Sequence, residues 1–316
     1  MHRTVLLRSQ SAPAIAADRI PGRLVHKRNP DEILLASYLQ LENEEFLIDA
    51  AWPTHHAFYQ PRHGFFDPLL AIESVRQSVP LISHAGYGAA LDNRQSWLFL
   101  RYALDARALY MTARDKETAV QMHVACSQGA RRSSRLGALS MSVSLRRGDI
   151  KIGSVQTSVH NYSAALYRRV RGAYADLETS VSRALPLAPP APPRTVGRAG
   201  YDDVVLSPTD TPLHSQLRVD LGHPILFDHP VDHVPGMLLL EAARQAAHVA
   251  TMPCPMLPVA MDAAFTRFVE LDAPCWIHID PLPDDARGRV RLLVSALQRE
   301  TLAFSSVVTL EPVPGI

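Results

Sequence analysis

The chain contains little of what would tie it to a membrane, to a disulfide framework or to nucleic acid. Its 32 basic and 31 acidic side chains leave a net charge near +1, so the composition indicates no polyanionic partner. No apolar run approaches the roughly 18 residues that a membrane-spanning helix needs. The three cysteines, Cys126, Cys254 and Cys275, show neither a CxxC motif nor the spacing of metal ligands. We therefore expect a cytoplasmic protein without a disulfide framework, a membrane anchor or a nucleic-acid partner.

The length and the distribution of proline predict two domains. At 316 residues the chain can form two separate cores. Proline is frequent between residues 185 and 200, where missing backbone donors disfavour helix and strand, so we predict a stiff, extended linker there. The linker separates an N-terminal domain, 22–184, from a C-terminal domain, 201–316. Residues 1–21 have only a short apolar run and are predicted to be a loose leader.

One segment of the chain occurs twice. Residues 67–77 read DPLLAIESVRQ, and residues 235–245, 168 positions later, read PGMLLLEAARQ. A repeat of about half the chain indicates a duplicated domain. In a helix, the spacing of the shared Glu-x-x-Arg-Gln brings its three polar side chains onto one face. Polar groups that interrupt an apolar helix at the same point in each half mark the predicted chemical site.

The two polar trios supply the candidate catalytic residues. They consist of Glu73, Arg76 and Gln77 in the first half and of Glu241, Arg244 and Gln245 in the second half. Each glutamate is a candidate base, each arginine suits bidentate contact with a phosphate, and each glutamine is a candidate substrate-binding residue. The alternative is that Glu and Arg of each trio form an internal salt bridge that only fixes the position of the helix.

Alternating apolar and polar residues predict antiparallel strands after each helix. The alternating segments are 119–126, 139–145, 150–159, 275–279, 289–296 and 303–310. A sheet with one apolar face must cover it, and one strong helix in each half is the only substantial candidate. The predicted fold is therefore α+β, with two domains in tandem, each an antiparallel sheet wrapped around a central helix. An edge strand of each half is expected to pair with the other half.

The loop before the second helix is rich in histidine and aspartate. His223, Asp228, His229, Asp232 and His233 lack the fixed spacing of a zinc motif, so we predict no metal site. We instead expect His229, Asp232 and His233 to line the mouth of the site or to orient Glu241. Structural hydrogen bonding within the loop is the alternative.

Gly236 makes the second half the expected main site. A glycine at a helix start lets a substrate approach closely, and backbone N–H groups there can hold an oxyanion. The first half has Pro68 at the equivalent position. His56 lies 17 residues before Glu73, much as His223 precedes the second glutamate, so His56 is a candidate binding residue. The first half is expected to contribute structure or a second pocket.

Residues 223–247 resemble the A-factor biosynthesis family of double hotdog proteins. The resemblance rests on the motif Asp-His-x-Pro-Gly-Met-x-Leu-Leu-Glu-Ala-x-Arg-Gln at 232–245, and residues 55–77 fit the amino-terminal repeat of that family. It covers 22–316 and implies two hotdog domains that pair within one chain, so that the protein can be a monomer. It also implies an acyltransferase that needs no cofactor. Such an enzyme joins a β-ketoacyl group, carried on acyl carrier protein, to dihydroxyacetone phosphate on the way to a γ-butyrolactone, butenolide or furan product.

The same segment is similar to the hotdog dehydratases of fatty-acid synthesis. Those enzymes carry Pro-Gly-x4-Glu and a catalytic histidine nine positions before the glycine, where this chain has Phe227. Dehydration needs that imidazole, although His229 could replace it if the loop bends differently. Dehydratase or thioesterase chemistry and a non-catalytic lactone-binding regulator therefore remain the alternatives. The sequence contains no DNA-reading module or basic stripe.

Overall fold

The computed structural model describes residues 20–42, 44–111, 117–128 and 137–313. The predicted leader lies outside these residues except for its last two. The strands are β1 (Leu35–Gln40), β2 (Glu45–Pro53), β3 (Arg94–Leu104), β4 (Glu117–Gln128), β5 (Ala138–Arg147), β6 (Ile150–Tyr162), β7 (Leu206–Pro208), β8 (His214–Leu217), β9 (Met256–Phe265), β10 (Cys275–Leu282), β11 (Val290–Gln298) and β12 (Thr301–Pro312). The helices are α1 (Gly22–Val25), α2 (Pro68–Leu81), α3 (Ala164–Arg171), α4 (Leu177–Ser182) and α5 (Gly236–Thr251).

The twelve strands of the described residues form one antiparallel sheet in the order β1-β2-β4-β5-β6-β3-β9-β12-β11-β10-β8-β7. The order is symmetric about the β3–β9 pair, as a duplicated domain requires. That pair runs from Phe99 opposite Ala264 to Ala103 opposite Ala260. The prediction that a strand of each half pairs with the other half is thereby confirmed.

The two long helices are the predicted central helices, and the sheet covers both. Residues on every side of α2 and α5 are buried, including the repeated glutamates. Asp67 caps α2 by accepting the N–H of Leu69 at 2.8 Å, and Pro68 takes the first helical position. Pro235 is the cap residue of α5 and offers no side-chain acceptor. The first turn of α5 therefore keeps uncapped backbone N–H groups.

The six predicted strands are present as β4, β5, β6, β10, β11 and β12, and β5 and β6 form a hairpin. The prediction omitted β1 and β2 before α2 and β7 and β8 before α5. It also omitted β3 and β9. Most of β9 is buried on both faces at the junction of the halves, so its residues do not alternate. Among the described residues, no helix has the length and apolarity to cross a bilayer.

The predicted linker packs closely against the second half. The N–H of Leu185 donates to the carbonyl of Leu271 at 3.0 Å, and a 3₁₀ turn spans Pro193–Val196. This turn and the residue after it, 193–197, correspond in form to 22–26. Both segments form a helical turn that ends in a left-handed residue, with φ 52° at His26 and 69° at Gly197.

Candidate active site

In the first trio, the buried carboxylate of Glu73 contacts two cations, one from the trio and one from outside it. Arg76 donates Nε and Nη2 to Glu73, both at 2.7 Å, and Nζ of Lys27 lies 3.2 Å from the same carboxylate. Burial by itself would raise the pKa of Glu73, but the charges and hydrogen bonds around it outweigh burial and lower the pKa to about 2. Glu73 is therefore ionised at neutral pH, and a group with so low a pKa is a weak base.

The second trio has the same arrangement with a different cation. Arg244 donates Nε to Glu241 at 2.8 Å, and Nε of Arg198 donates to the same carboxylate at 2.9 Å. The pKa of Glu241 also falls to about 2, because these two guanidinium groups outweigh the effect of burial. Arg198 comes from the predicted linker, and its Nη1 donates to the carbonyl of Phe58 in the first half at 2.6 Å.

The two glutamines connect each central helix to the chain that leads into its sheet. Gln77 accepts the N–H of Leu34 at 2.9 Å and donates to Glu73 at 2.9 Å. Gln245 accepts the N–H of Val205 at 3.0 Å and donates to the glutamate of its own helix. Both amides are fully buried and bonded to protein groups. These hydrogen bonds have a structural role, since they hold each central helix against the neighbouring chain.

His56 has a similar structural role. Its Nδ1 accepts the N–H groups of Phe58 and Tyr59, both at 3.1 Å, and its Nε2 lies 3.3 Å from Glu32. His223 makes the equivalent contacts in the second half. The sequence parallel between the two histidines thus reflects equivalent loop conformations.

A cavity of about 760 Å³ lies between the halves. The predicted site residues that line it are Glu73, Arg76, His229, Asp232, His233 and Gly236. Those that do not are Glu241, Arg244, Gln245, Gln77 and His56. The cavity therefore joins the first helix to the loop before the second helix, whereas we expected the main site in the second half. In the second half, Arg198 forms an ion pair with the carboxylate of Glu241. The chain beside this ion pair is tightly packed, because a Cβ on Gly197 would lie only 2.8 Å from the ring of His248.

Asp232 and His233 form a hydrogen-bonded dyad in the cavity wall. Nδ1 of His233 lies 2.7 Å from Oδ1 of Asp232. The hydroxyl of Tyr167 donates to the same carboxylate at 2.7 Å, and Nε of Arg171 approaches it at 3.3 Å. Burial would raise the pKa of Asp232, but these hydrogen bonds and charges hold it well below its usual range. Because an ionised carboxylate can only accept, Nδ1 of His233 carries the proton and Nε2 has the free lone pair.

Two further imidazoles of the cavity wall are kept neutral. Burial, together with the neighbouring His84, lowers the pKa of His26 to about 3. Nε2 of His26 lies 2.9 Å from Nε2 of His84, whose Nδ1 donates to the carbonyl of Ala89 at 2.9 Å. Burial also lowers the pKa of His229. The loop that carries His229 is held by the chain after α1, because the backbone N–H of Arg28 donates to the side chain of Asp228, the residue before His229, at 2.7 Å.

Gly236 brings the uncapped start of α5 to the cavity. A Cβ at this position would lie 2.4 Å from the indole of Trp97 and 3.4 Å from the ring of Phe265. The glycine is therefore required by the aromatic wall, and not only by an approaching substrate as the sequence suggested. The equivalent N–H group at the start of α2 is already taken by Asp67. Of the two helix starts considered as anion sites, that of α5 is the one with free donors in the cavity.

The cavity has an apolar wall and a basic margin. Its apolar side chains include Val159, Met237, Leu239, Phe265 and Ala303. Arg94 and Arg267 also line it and are exposed, and within the described residues neither forms an ion pair. The arrangement suits a substrate with an acyl chain and an anionic group.

Comparison with known proteins identifies the family. A family model described as the A-factor biosynthesis hotdog domain matches residues 8–161 and 179–314. The chain belongs to the A-factor biosynthesis hotdog family. The resemblance drawn from its two repeats is therefore confirmed, and so is the tandem hotdog fold.

Two relatives from this family share most of the chain. A 2-oxo-3-(phosphooxy)propyl 3-oxoalkanoate synthase from Streptomyces virginiae is 37% identical over 92% of this chain and 96% of its own length. A protein of the same name from Streptomyces coelicolor is 35% identical over 92% of this chain and 91% of its own length. A putative oleoyl thioesterase from Lactobacillus plantarum has a TM-score of 0.52 at 11% identity, covering 86% of this chain and 98% of that one. The last similarity shows a shared fold alone.

Sequence reasoning missed several residues of this family member's site. Lys27 and Arg198 were not singled out, nor were Tyr167 and Arg171, which hold Asp232. A comparison of residues 22–32 with residues 193–203 contains the missing signal. At a shift of 171 positions, arginine, valine, a basic residue and an acidic residue recur in the same order.

Proposed function

We propose that this chain transfers the 3-oxoacyl group of an acyl carrier protein thioester to a hydroxyl of dihydroxyacetone phosphate. The product is the ester from which a γ-butyrolactone or butenolide is made. The observation that carries the proposal is that one cavity contains a histidine–aspartate dyad, an uncapped helix start, an apolar wall and a cluster of cations. The names of the relatives describe an ester of these two parts. We also propose a monomer, because the β3–β9 pair joins the two halves within one chain.

The start of α5 is suited to the acyl group. Acyl transfer develops negative charge on the thioester oxygen, and preorganised backbone donors stabilise that charge. The N–H groups of Gly236 and Met237 have no helical acceptor and no capping side chain, whereas those of Leu238 and Leu239 donate to the carbonyl of Pro235. Met237, Leu239 and Phe265 adjoin them and provide apolar surface for the chain.

His233 is suited to the role of base. Asp232 fixes the tautomer that leaves Nε2 free, as the aspartate of a catalytic triad does. The imidazole takes the proton of the acceptor hydroxyl while the oxygen of that hydroxyl attacks the thioester carbonyl. The carbon–sulfur bond then breaks, and the departing thiolate receives that proton. Glu73, ionised and fully paired, acts in this scheme through the cations that it holds.

Lys27 and Arg76 are suited to the phosphate of the acceptor. With Glu73 they form a cluster of net charge +1, and both cations line the cavity. Arg76 uses Nε and Nη2 on the glutamate, which leaves Nη1 for another acceptor. A desolvated cationic cluster binds a phosphate more strongly than isolated surface charges do.

The test uses purified protein, a 3-oxoacyl carrier protein and dihydroxyacetone phosphate, with mass spectrometry of the products. We expect a phosphate-containing ester only when both substrates are present. Replacement of His233 by Gln should lower kcat by about 100-fold or more, whereas His214→Gln, on β8 outside the cavity wall, should not. Free acid formed with or without the acceptor would instead indicate a thioesterase. Lactone binding without turnover would indicate a regulator.

A further inference from the structure

We propose that α3, together with the basic margin of the cavity, is the docking surface for an acidic acyl carrier protein. The proposal rests on the proposed function and names the surface that receives the acyl donor. It is carried by the position of α3 at the cavity, by the side chains on its outer face and by its charge.

The inner face of α3 is part of the site. Tyr167 and Arg171, one helical turn apart, are buried and bonded to Asp232. Arg171 also binds Glu270 through Nη1 at 2.6 Å. Val170, between them, lines the cavity and is 51% exposed. The helix is thus fixed at the opening of the cavity by the carboxylate that orients the proposed base.

The outer face of α3 is an apolar ridge with basic neighbours. Leu166, 46% exposed, and Val170 lie one turn apart, and Arg169 lies on the same face. Arg168 is next to them along the helix. Both arginines are exposed, and neither pairs with a carboxylate anywhere in the described parts of the chain. Residues 161–175 contain no aspartate or glutamate.

The basic surface continues across the cavity opening. Arg94 at the start of β3 and Arg267 after β9 are exposed and line the cavity, again without ion pairs among the described residues. Together with Arg168 and Arg169 on α3, they are four exposed arginines without an ion pair in the described parts of the chain, and they form a local basic field in a chain whose net charge is near +1.

The combination fits a protein better than a free nucleotide. The phosphates of a coenzyme A thioester would use the guanidinium groups but would leave the exposed Leu166 and Val170 uncovered. A carrier protein with an acidic helix covers both, because protein interfaces join an apolar centre to a charged rim. A donor that inserts its pantetheine arm into the cavity must dock beside the opening, where α3 lies.

The test compares two donors of the same 3-oxoacyl group, carrier protein and free pantetheine. The variant Arg168→Glu/Arg169→Glu should lower kcat/KM for the carrier-bound donor by about tenfold or more and leave that for the pantetheine donor within about twofold. The matched control is Arg146→Glu/Lys151→Glu, which reverses two exposed charges that face each other on β5 and β6, beside the turn at the end of β6 far from α3. It should leave both donors unchanged.

Several outcomes would overturn the proposal. An equal loss with both donors would show that α3 acts on the substrate site, and no loss with the carrier would show that it docks elsewhere. If the double reversal does not fold, Arg168→Ala/Arg169→Ala gives the same comparison with a smaller expected loss. Failure of the proposed function is distinguishable, because the unaltered protein would then form no phosphate-containing ester from either donor.

Discussion

Lys27 and Arg198 stand 171 residues apart in the chain, and each places a cation against the buried glutamate of its own half. Each follows a left-handed residue, His26 in the first half and Gly197 in the second. Lys27 lines the cavity, whereas Arg198 does not and bonds instead to the carbonyl of Phe58 across the two halves. The ion pair between a cation and the buried glutamate therefore occurs in both halves. In the first half it lies at the cavity, and in the second half it belongs to the packing between the halves.

This difference predicts different effects of removing the two cations. Lys27→Met should raise the KM for dihydroxyacetone phosphate by about tenfold and should cost less stability than Arg198→Met, because the Lys27 side chain pairs with Glu73 alone among the described residues, whereas Arg198 also bonds to the carbonyl of Phe58. Arg198→Met should lower the free energy of unfolding by about 3 kcal/mol, since it removes buried hydrogen bonds to a charged group and to a carbonyl. Acceptor KM and urea unfolding, measured on both variants, check these expectations. Equal kinetic effects of the two changes would contradict the assignment of the cavity to one trio.

The dyad predicts a loss of rate without a loss of binding. Asp232→Asn removes the carboxylate that fixes the tautomer of His233, so kcat should fall by about 100-fold or more while KM for the acceptor changes little. Tyr167→Phe is the matched control, because it removes one donor to Asp232 and leaves the dyad in place. It should reduce kcat by less than about tenfold. Steady-state kinetics of both variants decide this, and comparable losses would indicate a structural role for the whole cluster.

Much of the fold was predictable from local patterns. The repeat around Glu73 and Glu241 identified both central helices and the duplication. Alternation found six strands but missed others that also have one solvated face, such as β2. Most of β9 is buried on both faces, so its sequence carries no such pattern. The polar loop residues His229 and His233 were expected at the site mouth, and both line the cavity.

The choice between the two trios was not predictable, because their own residues are identical. It depends on what reaches them from distant segments, such as Arg198 against Glu241. The segments that supply the two cations repeat at a shift of 171 residues, whereas the helices repeat at 168. A comparison made in the register of the helices therefore misses Lys27 and its counterpart.

Acid should destabilise the fold through the two buried glutamates. The pKa values of Glu73 and Glu241 are lowered to about 2 in the folded protein, below the ordinary value of 4.5 that the unfolded chain has. The unfolded state then binds more protons between these values, so the stabilisation is complete above about pH 5 and is lost as the pH falls towards 2. Each carboxylate should contribute about 3 kcal/mol to this loss.

Urea unfolding between pH 6 and 3 measures the larger part of this loss. Glu241→Gln should be less stable at pH 6 and should lose less on acidification than the unaltered chain. The control is Asp262→Asn, which breaks the surface ion pair with Arg101 and should have little effect at any pH. A pH dependence that is unchanged in Glu241→Gln would show that other groups cause the acid sensitivity.

The aromatic wall behind Gly236 predicts a rescue. Gly236→Ala would place a Cβ 2.4 Å from the indole of Trp97, so the ring or the helix start must move. We expect a loss of about 2 kcal/mol in the free energy of unfolding and a fall in kcat, because the displaced N–H groups no longer face the thioester oxygen. Trp97→Leu in the same chain removes the obstructing ring and should restore most of the stability. If the double variant is as unstable as the sum of the single variants, the contact with Trp97 is not the reason for the glycine.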